Sequence, residues 1–391
     1  MLQPPGMTQH DAPTNPALLP AGLRDLLPPE AEAEAAAVEA LMEVFARHGY
    51  QRLKPPLLEF EDTLFAGSGT AVADQTFRLM DPDSQRMMGL RADTTPQVAR
   101  IATTRLAAAP RPLRLSYAGQ VLHVRGTQLN PDRQMAQAGI ELIGSDSSGA
   151  DAEIVLVAAE ALAALGLTRV SFDLTMPTLA PALLDAAGVS ASARGMLARA
   201  LDRKDAAQVR ALGGGQAGTL TDLLLAAGPA DRALEALAKA ALPDAALPQA
   251  ARLAQTVDAI RARAPGLRLT LDPLEFRGFR YHTGVCVTVY APGRTQELGR
   301  GGRYVCGEAE PATGLTLYPD LILRAVKPPA ERPRLFVPAG SDQRAAAGFR
   351  DRGFATIAAV DPVDDPLAEA RRLLCTHILR GGDAVPLIQG G

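Results

Sequence analysis

Helices packed on an antiparallel sheet, an α+β fold, are predicted here by three observations. A long amphipathic helix opens the ordered part of the chain. Short strand-like segments then run as far as Ile143, and strong two-residue alternation returns around Val285. Between them lies an Ala/Leu-rich helical stretch that interrupts the strand pattern.

The first element follows a polar, proline-containing segment, residues 1–18, that reads as a flexible tail. Pro28, Pro29 and the acids Glu30, Glu32 and Glu34 suit a helix start. Val38, Leu41, Met42 and Phe45 recur at helical spacing, and Gly49 can end the helix in a left-handed cap. This predicts a helix over Pro29–His48. Pro55 and Pro56 then fit an edge strand or an extended interface segment.

Strands are expected at Thr76–Met80, Arg86–Leu90, Arg114–Val124 and Gln134–Ile143, with a helix at Asp151–Leu165. Residues 179–264 read as a helical insertion, broken by Gly213–Gly215, Pro243 and Pro248. Strands resume at Leu267–Leu271 and Tyr281–Tyr290, where Val285, Val287 and Val289 alternate with Cys286, Thr288 and Tyr290. The core is therefore expected over residues 19–326. Pro328, Pro329 and Pro333 mark a linker, and residues 334–391 form a small α/β domain. Its helices are expected near Asp342–Arg352 and Leu367–Leu379.

Composition narrows the function. With 391 residues, 47% of them hydrophobic, there is ample material for a sizeable core. A formal charge of −3 and the lack of a basic run argue against charge-led nucleic-acid binding. No apolar stretch is long enough for a membrane span, and no secretory signal opens the chain. Cys286, Cys306 and Cys375 have no metal-like spacing, which suits a reduced, cytoplasmic protein. The scattered histidines and the unaccompanied Gly213–Gly215 run offer neither a metal site nor a phosphate loop, so no cofactor is expected.

Three segments carry chemistry. In QAGIELIG, strand alternation puts Gln137, Gly139 and Glu141 on one face, with room for a ligand at Gly139; a solvated face is the plain alternative. In GLRADTTPQVAR, Asp93 and Thr95 could accept from an ammonium group, unless Thr94 or Thr95 simply caps a helix. In FRGFRYHTG, Arg277 and Arg280 could clamp a carboxylate or could lie on the surface, with Tyr281 and His282 adding polar tips. Together they offer what a zwitterionic amino acid needs.

These segments resemble the histidine-holding parts of histidyl-tRNA synthetase. The chain from about Leu19 to Val326 is similar to the class II aminoacyl-tRNA synthetase core of that enzyme. More closely, the whole chain resembles the ATP phosphoribosyltransferase regulatory subunit family. LPAGLRDLLP, HGYQRLKPPLLE, LRADTTPQVAR, QAGIELIG, RYHTG, GRGGRY and ATGLTLYPDLIL match that family's pattern in order. The resemblance implies that Asp93, Thr95 and Gln137 bind the ammonium of histidine and Arg277 its carboxylate. It implies that Glu141 faces the imidazole and that Tyr281, Gly301, Gly302 and Arg303 line the pocket.

Departures from the pattern are informative. His282 stands where synthetases carry a second tyrosine, and Val305 replaces a usual aspartate. His123 and Leu321 stand where two arginines grip ATP, with Arg125 two positions on as a possible substitute. Each lost charge clamp costs about a hundredfold to a thousandfold in rate. The expectation is a non-catalytic subunit that assembles with the short-form catalytic transferase and carries histidine feedback. A dimer through the first helix and the Pro55–Pro56 segment is also implied. The carboxy-terminal domain is short for anticodon binding, so tRNA binding is not expected. The alternative is a divergent synthetase or a ligase using histidine adenylate.

Overall fold

The computed structural model describes residues 17–127, 130–276, 281–326 and 331–387. Most of the expected tail, the centre of the proline linker and Arg277 to Arg280 lie outside the described residues. The chain divides into two compact units, Met1–Lys327 and Pro328–Gly391.

The first unit opens with α1 (Glu30–Arg47), whose first turn carries Glu30 and Glu32 and whose last carries Arg47. Pro29 caps the helix rather than entering it, and Gly49 takes φ +80° just beyond the end. Leu41, Met42, Val44 and Phe45 are buried. Next come β1 (Gln51–Leu53), β2 (Leu58–Phe60), α2 (Glu61–Leu64) and a 3-10 segment, Gly67–Gln75. Then follow β3 (Arg78–Met80), β4 (Met87–Leu90), α3 (Thr95–Thr103), β5 (Leu113–Leu122) and β6 (Gln134–Ile143). α4 (Ser148–Ala164) starts earlier than predicted because the Ser147 hydroxyl accepts the Ala150 N–H. β7 is Ser171–Thr175.

The insertion holds α5 (Leu179–Ala186), α6 (Ala191–Asp202), α7 (Ala206–Leu212), α8 (Ala217–Ala226), the two-residue β8 (Gly228–Pro229), α9 (Ala230–Lys239) and α10 (Leu247–Arg263). The chain then returns to strands as β9 (Arg268–Asp272), β10 (His282–Tyr290), β11 (Glu297–Cys306) and β12 (Glu310–Leu317), before α11 (Pro319–Leu323). Among the described residues the main sheet has the order β1-β5-β6-β12-β11-β10-β7-β9-β8. It is antiparallel from β5 through to β7, while β1 joins β5 and β9 joins β7 in parallel. β2, β4 and β3 form a separate small sheet.

One apolar cluster joins α1, α4, the insertion and the inner face of the sheet, with Phe45, Leu162, Leu220, Leu253 and Val287 all fully or nearly fully buried. Burial of such side chains contributes about 1.5–3 kcal/mol each. That fixes the strand register, because a slip by one residue would turn every apolar side chain outward.

The second unit is a small α/β sheet of order β14-β13-β15-β16. Its elements are β13 (Arg334–Val337), α12 (Gln343–Asp351), β14 (Ala355–Ala358), α13 (Pro366–Arg372), β15 (His377–Arg380) and β16 (Asp383–Pro386). The expected helix over Leu367–Leu379 is corrected here. Leu374 takes φ +56°, which stops the helix, and His377 and Ile378 pair with β13 instead. Leu335, Val337 and Phe349 pack in one cluster, and Phe336, Ala370 and Ile378 in another.

Candidate amino-acid-binding site

Three central strands and the turn before α3 build a polar site into the buried sheet. On β6 the alternation places Gln137 and Glu141 on one face, and they are only 4% and 1% exposed. A solvated face is thereby excluded. β12 lies beside β6 with Gly314 opposite Glu141, and a Cβ at that glycine would meet Glu141 Oε2 at 1.8 Å. Only glycine leaves the carboxylate its place.

Glu141 is held at both oxygens. Thr95 Oγ1 donates to Oε1 at 2.9 Å, and the Tyr304 hydroxyl donates to Oε2 at 2.9 Å. Burial pushes its pKa up to about 8, against the two hydrogen bonds and with help from the Asp93 charge. Asp93 Oδ1 accepts from Gln137 Nε2 at 3.2 Å and from the Thr95 N–H at 3.4 Å. Burial raises this carboxyl too, again against its hydrogen bonds. Gln137 Oε1 accepts from the Thr94 N–H and hydroxyl. Neither threonine caps α3 through its side chain: Thr94 serves Gln137, and Thr95 serves Glu141.

The room expected at Gly139 is filled from within. A Cβ there would meet the Tyr117 hydroxyl at 2.4 Å. That hydroxyl bonds to Thr316 Oγ1 at 2.7 Å and Thr95 Oγ1 at 3.2 Å, so the glycine admits a tyrosine, not a ligand.

A cavity of about 590 Å³ opens above these groups. It is lined by Asp93, Thr95, Gln137, Glu141, Tyr281, His282, Gly301 and Gly302, which brings together eight of the predicted residues. Arg277 lies outside the described residues. Arg303 is a correction. Its guanidinium points to the other face of β11, paired with Asp151 at 2.7 Å and donating to the Ser145 and Ser147 carbonyls. Strand parity explains this: Arg300, Gly302 and Tyr304 share the cavity face and Arg303 does not.

Sequence reasoning missed Arg300, Tyr304, Tyr318, Tyr290 and Thr316, all of which line the cavity. Treating GRGGRY as a strand would have found Arg300 and Tyr304. Arg300 Nη1 lies 3.5 Å from Glu297 Oε1. Tyr281 and His282 stack with centroids 4.3 Å apart. Burial, and then the charge of Arg300, hold the His282 imidazole down at a pKa of about 3, so it is neutral.

His123 and Leu321 both line the cavity, so its wall has an imidazole and an isobutyl group at those positions. His123 Nε2 bonds to the Ala92 carbonyl at 2.9 Å. β5 stops at Leu122, so the strand alternation that linked Arg125 to His123 does not extend to it. Arg125 is not among the described lining residues, which corrects its reading as a substitute. Among the described residues no His, Cys, Asp or Glu group could hold a metal ion.

A family model described as histidyl-tRNA synthetase matches residues 22–322. A solved structure described as an ATP phosphoribosyltransferase regulatory subunit/histidyl-tRNA synthetase from Bacillus halodurans C superposes with TM-score 0.77 at 22% identity, over 91% of this chain and 96% of that one. The fold is thus of the class II synthetase kind, with a histidyl-tRNA synthetase-like core. Two curated relatives are more specific, both named ATP phosphoribosyltransferase regulatory subunit. That from Paramagnetospirillum magneticum is 56% identical over 95% of this chain and 98% of its own. That from Gluconobacter oxydans is 54% identical over 97% of this chain and 100% of its own. The chain belongs to the ATP phosphoribosyltransferase regulatory subunit family.

Proposed function

We propose that this chain is the non-catalytic regulatory subunit of a short-form ATP phosphoribosyltransferase and that its cavity takes free histidine as the feedback effector. One observation carries the reading. The cavity gathers the carboxyl groups of Asp93 and Glu141, while His123 and Leu321 bring no guanidinium to it. Asp93 suits the ammonium, with Gln137, whose oxygen already accepts from Thr94, orienting that carboxylate through Nε2, and the buried Glu141, held by Tyr304, suits the imidazole. Arg277 is proposed for the carboxylate. Two missing charge clamps amount to roughly ten-thousandfold or more in rate, which argues against adenylation.

Histidine regulates only by binding one assembly state better than another, and a coupling of about 1–3 kcal/mol is enough. The assembly partner is the catalytic transferase, with self-association through α1 and the Pro55–Pro56 segment. tRNA is not a proposed partner. No described helix is long and apolar enough to cross a membrane. The free thiols of Cys286, Cys306 and Cys375 fit the reducing cytoplasm, where we place the protein.

The test is phosphoribosyl-ATP formation by the catalytic subunit, with and without this chain, across a histidine titration. Activity that depends on the chain and falls with histidine is the expected result. A transferase indifferent to the chain would overturn the reading. Histidine-dependent exchange of pyrophosphate into ATP would then favour the synthetase alternative.

A further inference from the structure

The floor of the cavity carries the acceptors Asp93 and Glu141, and a zwitterion also needs a cation there. Among the described lining residues the arginine is Arg300. It leaves β11 from the same face as Gly302 and Tyr304, and Tyr304 is the residue that holds Glu141. Arg300 and Tyr304 are thus two ends of one strand face, roughly 13 Å apart at the backbone. An amino acid and one extended arginine side chain span that distance together. Gly302, at φ +148°, leaves the wall between them bare of side chain.

One counter-ion of Arg300 is Glu297, at 3.5 Å. That is longer than the ~2.7–2.9 Å of a close charge-assisted hydrogen bond. The charge of Arg300 is felt by the His282 imidazole, which stacks on Tyr281 and, being neutral, does not compete for an anion. We propose that Arg300 is a specificity-determining residue that binds the carboxylate of the amino-acid ligand, taking it in exchange for Glu297. This rests on the cavity being the histidine site. It gives the site a second way, besides Arg277, to distinguish the amino acid from its decarboxylated amine.

Calorimetry of the full chain with two probes, histidine and histamine, tests it. In Arg300→Met, histidine affinity is expected to fall at least tenfold, while histamine affinity stays within twofold. Arg300→Lys should recover part of the loss, because it restores charge without the fork. An equal loss for both probes, or no loss for histidine, would overturn the assignment of Arg300 alone. Wild-type protein that binds neither probe would overturn the site itself, and this inference with it.

Discussion

Glu141 is the side chain on which most of the site's behaviour turns. Its folded pKa of about 8 lies above the ordinary 4.5 because burial penalises the charged form. Between those values the folded state keeps a proton that the unfolded chain has released. The associated stability is therefore full below the ordinary pKa and is lost as pH rises through about 8. Glu141→Gln cannot titrate. Relative to that variant, wild type should lose stability from pH 5 to 8 by up to about 1.4 kcal/mol per pH unit. Urea melts at several pH values check this, and a difference that stays flat with pH would refute it. Asp93, Thr95, Gln137 and Glu141 were candidates in sequence because two short motifs each carry a polar pair two residues apart, and the family resemblance favoured them over the plain alternatives. Tyr117 was not, since nothing local says which neighbour fills the space at Gly139.

At the level of elements, the least legible were β11 and β12. Their glycines depress any strand signal, yet the structure needs them for close approach. Gly314 makes room for Glu141, and a Cβ at Gly301 would meet the Gly314 carbonyl at 2.0 Å. Helices α1 and α4 were legible within a few residues because their apolar spacing and end signals agree. β11 also explains Arg303, which fastens the strand to α4 through Asp151, a carboxylate shared with Arg252 at 2.9 Å. Both Arg303 and Asp151 are nearly fully buried. Removing one partner of a buried pair leaves the other charge desolvated, at a cost of about 3–5 kcal/mol. Arg303→Met should lose that much in denaturant melts, towards the lower end because Arg252 remains. Histidine affinity should change little, in contrast to Arg300→Met. An undiminished midpoint would show that the pair is not a structural fastening.

Over the whole molecule, the apolar clusters define what can be separated. The insertion's Leu220 and Leu253 belong to the same cluster as Phe45 and Val287, so those helices complete the core rather than decorate it. The second unit carries its own clusters around Leu335 and Phe336. A chain ending at Val326 is accordingly expected to keep a cooperative thermal melt, with the helical circular dichroism of the core. A broad, non-cooperative melt would show that the core depends on residues 328–391. Composition and the order of motifs were enough to foresee the layered core. The parallel joins of β1 and β9 were not foreseeable, since they depend on which distant edges meet.

The aromatic residues of the cavity have a practical consequence. The chain has no tryptophan and six tyrosines. Tyr281, Tyr290, Tyr304 and Tyr318 line the cavity, and Tyr117 reaches it through its hydroxyl bonds to Thr95 and Thr316. Tyr50 alone sits elsewhere, bonded to Glu153. Five of the six tyrosines, the chain's ultraviolet fluorophores in the absence of tryptophan, thus lie at the cavity or bonded to its wall. An occupant that disturbs the Tyr304–Glu141 bond should change their emission directly, giving an optical titration with no label attached.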